Sequence, residues 1–109
     1  MERRYAGRVN ATEIIARLKV MEPELRQAGL GALYLFGSRA RGDHRPDSDV
    51  DLLFEVSADA DERFNLVDQA TIINLLVDRL GTHVDLVERR ALLSPFRALV
   101  EPDLVRVFA

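Results

Sequence analysis

An apolar run from Ala32 to Phe36 halts at Gly37-Ser38, and after ten intervening residues Asp49 and Asp51 are set into a second apolar run that reaches Val56. No other feature constrains the fold as tightly. Ala32 to Phe36 is short, continuous and apolar, as expected of a strand buried on both faces. Val50, Leu52, Phe54 and Val56 alternate with Asp49, Asp51, Leu53 and Glu55, which is the period of a second strand. Between them the sequence predicts a tight turn, a short helical turn over 38–42 and a polar loop over 43–48 that contains Pro46.

Helical spacing fills most of the remainder. From Thr12 onward Ile14, Ile15, Leu18, Met21 and Leu25 recur on one face, with Pro23 expected to break or kink the run and Gly29 to end it. Asp61 is the expected N-cap of a long helix carrying Phe64, Val67, Ala70, Ile73, Leu76, Val77 and Leu80, closed by Gly81. His83 to Val87 reads as a third strand with Asp85 at its centre. Ser94-Pro95 reads as an N-cap followed by proline at the first helical position, and residues 104–108 as a closing strand. The order is αββαβαβ, an α+β (α/β) chain with about four strands.

The length of 109 residues favours one domain spanning 1–109, with residues 1–10 a loose lead-in lacking regular apolar spacing. Hydrophobic residues make up 48% of the chain and charged residues 30%, enough for a core and for solubility. A net charge of −3 and the absence of a strongly basic stretch argue against nucleic acid as a partner. There is no cysteine, so no disulfide framework or thiolate metal site, and no apolar stretch long enough for a membrane span. The expected location is cytoplasmic. Of 15 basic residues all but Lys19 are arginine, a bias compatible with genome composition and equally with phosphate recognition.

The carboxylates carry the chemistry. Residues two apart on a strand project to the same side, roughly 6–7 Å apart, so Asp49 and Asp51 would share a face. If Asp85 lies on an adjacent strand, three negative charges gather at one end of the sheet, an arrangement that is unfavourable without compensation. A divalent cation removes the conflict, and hard oxygen donors point to Mg²⁺, with Mn²⁺ as a substitute. An isolated Asp-x-Asp can equally keep an edge strand soluble, and Gly37-Ser38 alone can be an ordinary turn with Ser38 as a cap. Placed together, the turn offers backbone N–H groups to phosphate while the strand offers carboxylates to metal, which describes a nucleotide site. Arg39 and Arg41 sit beside the turn as candidate phosphate ligands.

Gly37-Ser38, ten residues, then Asp49-x-Asp51 and a later strand Asp85 resemble the nucleotidyltransferase superfamily that includes DNA polymerase beta. Leu33 to Gly42, followed by Ser48 to Leu52, is similar more narrowly to the minimal nucleotidyltransferases, or MNT proteins, encoded beside HEPN-domain partners. The resemblance implies a mixed sheet flanked by helices, ATP as substrate with two Mg²⁺ ions, and transfer of AMP to a hydroxyl. By position it implies that Gly37 and Ser38 hold the triphosphate, that Asp49 and Asp51 bridge the metals, and that Asp85 ligates the catalytic metal near the attacking hydroxyl. It also implies an antitoxin role in a hetero-oligomer, in which a tyrosine of a HEPN toxin receives AMP. Two alternatives stay open: an antitoxin that neutralises its partner by contact alone, and a transferase acting on a small molecule such as an aminoglycoside. The short chain, with no obvious acceptor module, disfavours the last.

Overall fold

The computed structural model describes residues 10–109, so the lead-in expected over 1–10 lies, apart from Asn10, outside the described residues. Asn10 is the cap of the first helix, α1 (Ala11–Val20): its side chain accepts the Glu13 backbone N–H at 3.0 Å. Met21 closes α1 and at once begins α2 (Glu22–Gln27), in whose first turn Pro23 sits. Proline therefore starts a new helix here rather than kinking one, because a first-turn residue has no intrahelical acceptor to lose. Strand β1 (Leu30–Phe36) begins two residues earlier than the apolar run suggests, then passes directly into α3 (Gly37–Arg41). The loop over 42–49 leads to β2 (Val50–Val56), α4 (Leu66–Leu80) and β3 (Val84–Glu88). A 3-10 turn over Arg89–Ala91, α5 (Ser94–Val100), a second 3-10 turn over Glu101–Asp103 and β4 (Val105–Phe108) complete the chain.

Two expected caps move. Asn65, not Asp61, caps α4: its side chain accepts the Val67 and Asp68 N–H groups at 2.9 and 3.1 Å, and Asp68 accepts the Asn65 N–H at 2.9 Å. This reciprocal box satisfies donors that the helix itself cannot. It leaves Phe64 ahead of the helix, packed on Phe54 with ring centroids 5.7 Å apart. At α5 the cap position falls on Leu93, and Ser94 is the first helical residue with no side-chain cap bond.

Among the described residues the four strands form one sheet in the order β3-β2-β1-β4. The β1 strand runs antiparallel to both β2 and β4, whereas β2 and β3 are parallel and joined through α4. A parallel pair needs such a crossover, and α4 supplies it. This is a mixed sheet with flanking helices, the α+β architecture expected from the sequence.

The core lies on one face. Ile14 and Leu18 of α1, Leu25 of α2 and Ile72, Leu76 and Leu80 of α4 pack against Leu33, Leu35, Val50, Leu52, Phe54, Leu86 and Val107 of the strands. Strand alternation turns Tyr34, Asp51, Leu53, Glu55 and Asp85 to the opposite face. On that face the Arg89 guanidinium lies 5.2 Å from the Tyr34 ring centroid and donates to Glu55 at 2.8 Å and to Glu101 at 2.9 and 3.0 Å. The first 3-10 turn is thereby fastened to β2 and to the second 3-10 turn. Among the described residues no helix is long and apolar enough to cross a membrane.

Candidate active site

Parallel pairing of β2 with β3 sets Asp51 directly opposite Asp85, with Val50 opposite Val84 and Leu52 opposite Leu86. Neighbouring strands lie about 4.8 Å apart, so the two acids are nearest cross-strand neighbours on the face opposite the main core. On the other side of β2, Asp51 pairs with Phe36, the last residue of β1. The next residue, Gly37, has φ +78°, where a Cβ is strained, and a Cβ built there would run into the Asp51 carboxylate, with Cγ at 3.1 Å. The Gly-Ser turn and the Asp51 side chain are thus in van der Waals contact, which only glycine permits.

Asp49 is the last loop residue before β2 and is exposed; Asp51 is partly buried and Asp85 exposed. The three share one end of the sheet without forming a closed cage. Among the described residues, no group of three or more His, Cys, Asp or Glu side chains stands ready to enclose a metal ion. Their charges nevertheless act on one another. Burial first, then Asp85 and Asp49, push the Asp51 carboxyl up to about 6, while Arg41 and Arg39 pull it the other way. A carboxylate raised by neighbouring acids gains from any cation placed among them. Oxygen donors alone suit magnesium or manganese, so the residues present fit such an ion.

The two arginines take different positions. Arg41 is exposed and ion-paired, at 3.1 Å to Asp43 and 3.0 Å to Asp103, and these hydrogen bonds raise its pKa. Arg39 is fully buried, the one charged side chain so placed among the described residues. Its Nη2 donates to the Ser48 carbonyl at 2.6 Å and lies 3.5 Å from that of Pro46, and burial lowers its pKa. Ser48 closes the same loop through its hydroxyl, which accepts the Arg45 N–H at 2.8 Å.

A cavity of about 500 Å³ opens elsewhere, lined by Glu55, Val56, Glu88, Arg89, Arg90, Arg97 and Glu101. It lies at the far ends of β2 and β3, four residues or roughly 13 Å along the strand from Asp51. None of the residues singled out in the sequence lines it. Its charges largely cancel, since Arg89 pairs with Glu55 and Glu101 and Arg90 with Glu88 and Asp61. Asp49, Asp51 and Asp85 lie outside this cavity, at the other end of the sheet.

The site is thus an acidic pair on parallel strands beside a glycine elbow, set in a mixed sheet. Residues 18–107 match the nucleotidyltransferase domain family, and the chain belongs to it. A candidate protein adenylyltransferase of Methanocaldococcus jannaschii is 31% identical over 77 residues, covering 70% of this chain and 75% of that protein. A solved candidate minimal nucleotidyltransferase superposes with a TM-score of 0.74 at 31% identity, covering 90% of this chain and 96% of the other. An MNT antitoxin, solved in complex with a tri-AMPylated HEPN toxin of Shewanella oneidensis, shares the fold at 20% identity. Its TM-score is 0.60, covering 85% of this chain and 69% of the other.

Proposed function

We propose that this chain is an Mg²⁺-dependent nucleotidyltransferase that moves AMP from ATP to a hydroxyl, a tyrosine of a partner HEPN-domain toxin, and so acts as its antitoxin. The observation that carries the reading is the Asp51–Asp85 opposition beside the Gly37 contact. Likeness to a protein adenylyltransferase and to an antitoxin that stands beside an AMPylated toxin supports the choice of acceptor.

The roles follow from position. Gly37 and Ser38 open α3 and receive the triphosphate on first-turn N–H groups, which a helix cannot satisfy internally. Asp49 from the end of the loop and Asp51 from β2 would hold the metal, and Asp85 would face them from β3, where the acceptor hydroxyl arrives. Magnesium, when bound, offsets the carboxylate charge and that of the departing pyrophosphate. The acceptor oxygen forms a bond to the α-phosphorus as the bond to the bridging oxygen of pyrophosphate breaks, and the hydroxyl proton leaves on the Asp85 side. Arg41 reaches phosphate by exchanging its surface pairs, which hold it only weakly. Arg39 acts on Asp49 and Asp51 electrostatically from its buried position.

One observation favours a second reading, in which contact alone neutralises the partner. Leu93, at the cap of α5, and Phe96 and Leu99 within it are 70, 60 and 72% exposed, an apolar stripe suited to docking. Intact mass of a co-expressed HEPN-domain partner, after incubation with ATP and Mg²⁺, separates the two. Addition of one or more AMP units by the wild type, and none by the Asp49→Asn/Asp51→Asn variant, is expected. Full neutralisation by that variant would instead establish contact as sufficient.

A further inference from the structure

Arg39 lies directly after the Gly37-Ser38 elbow, yet its side chain turns inward and is buried completely. A guanidinium keeps its proton under all ordinary conditions, so this position carries a permanent charge removed from water. Such a charge is tolerable only when fixed dipoles or opposite charges surround it. Dipoles come from the loop ahead of β2: the Ser48 carbonyl accepts from Nη2 at 2.6 Å, and Ser48 is the residue before Asp49. Opposite charge comes from Asp49 and Asp51, both of which act electrostatically on Arg39. The buried guanidinium, two residues along the chain from the Gly37 against which the Asp51 carboxylate lies, ties the loop that bears Asp49 back to the helix that bears Ser38.

We propose that Arg39 is a built-in counter-ion of Asp49 and Asp51, a positioning residue that holds the acids together without metal and competes with an incoming divalent ion. The inference rests on the reading of these acids as cation ligands. A fixed positive charge acting on the carboxylates offsets part of their attraction for a cation. The bare protein therefore takes up divalent ions weakly, and full loading waits for the triphosphate, whose own negative charge tips the balance. The metal enters with the nucleotide rather than ahead of it.

Thermal unfolding of the purified chain with and without Mn²⁺, in the absence of nucleotide, tests this in the wild type, Arg39→Gln and Arg39→Lys. Arg39→Gln removes the charge and keeps a donor for the loop; Arg39→Lys keeps the charge and loses the fork. The Mn²⁺-induced rise in Tm is expected to exceed the wild-type rise by roughly 4 °C in Arg39→Gln, a readable shift for a domain of this size. In Arg39→Lys it should match the wild type even though its metal-free Tm is lower. Equal Mn²⁺ gains in all three proteins, or a gain in Arg39→Lys as large as in Arg39→Gln, would reduce Arg39 to a packing element and overturn the proposal. Should Arg39→Gln be unfolded without cation, return of its helical circular dichroism with Mn²⁺ supports the counter-ion, and no return at cation levels that stabilise the wild type overturns it. A wild type indifferent to Mn²⁺ counts against the cation-site reading; Arg39→Gln must then gain by itself for the counter-ion to stand.

Discussion

Asp51 and Asp85 face each other across the parallel ladder of β2 and β3, and the Asp85 carboxylate makes the negative charge of Asp51 harder to hold. The Asp51 carboxyl, at about 6 in the fold against 3.8 for an unperturbed aspartate, therefore binds a proton more tightly folded than unfolded.

The sign of the pH dependence follows. Between about pH 4 and pH 6 the folded chain carries the extra proton, so in chelator-treated protein this contribution to stability is complete below that window and lost as pH rises through it. Asp51→Asn removes the dependence and should be more stable than the wild type at pH 7 by about 1 kcal/mol, allowing for solvent screening of a partly exposed group. Urea unfolding in EDTA at both ends of the window measures it. Asp85→Asn should move the Asp51 carboxyl ¹³C titration downward without restoring it fully, since burial remains the larger cause. An unchanged midpoint would mean that the two acids do not interact.

Gly37 is held by two constraints at once, its positive φ and the Asp51 carboxylate against it. Gly37→Ala should cost about 2 kcal/mol or more, since backbone strain and a steric displacement add. The displaced group is the acid itself, so ATP·Mg²⁺ affinity measured by calorimetry should fall as well. Gly42→Ala offers a control: its φ is also positive, but no atom lies within 4 Å of the added Cβ. Strain should lower stability there while leaving nucleotide affinity near the wild-type value.

The start of α4 gives a cleaner comparison. Asn65→Ala removes the side-chain half of the capping box, leaving Asp68 to accept the backbone N–H of residue 65, and should cost about 1 kcal/mol in chemical denaturation. Asp61→Ala removes an exposed pairing with Arg90 and should leave the midpoint unmoved. The reverse ranking would restore Asp61 as the cap.

What the sequence revealed, and what it hid, divides along physical lines. Strand β2 was legible because its alternation is broken only at Leu53 and only one phase of it can face the helices. The positions of the elbow and of Asp49 and Asp51 were legible because a glycine stop and an acidic repeat are local signals. The Asp51–Asp85 opposition was not, because strand adjacency is set by the crossover through α4 and leaves no trace in either strand. Phe64 misplaced the start of α4: it is apolar and in phase, yet it packs against Phe54 from the preceding turn. Arg39 read as a surface phosphate ligand because arginine is seldom buried, and its bonds to carbonyls of a loop seven to nine residues on, which leave no local signal, accompany its inward turn. Arg89, which fastens both 3-10 turns and covers Tyr34, carried no signal beyond being one arginine among many.

The contact between Gly37 and Asp51 also limits how such a chain can diversify. Neither partner has a smaller or differently shaped substitute that keeps the fit, so point changes at the elbow are closed off as a route to new specificity. Novelty has to come instead from the opposite rim, where the bare stripe of α5 and its charged surroundings can drift freely while the reacting centre stays the same.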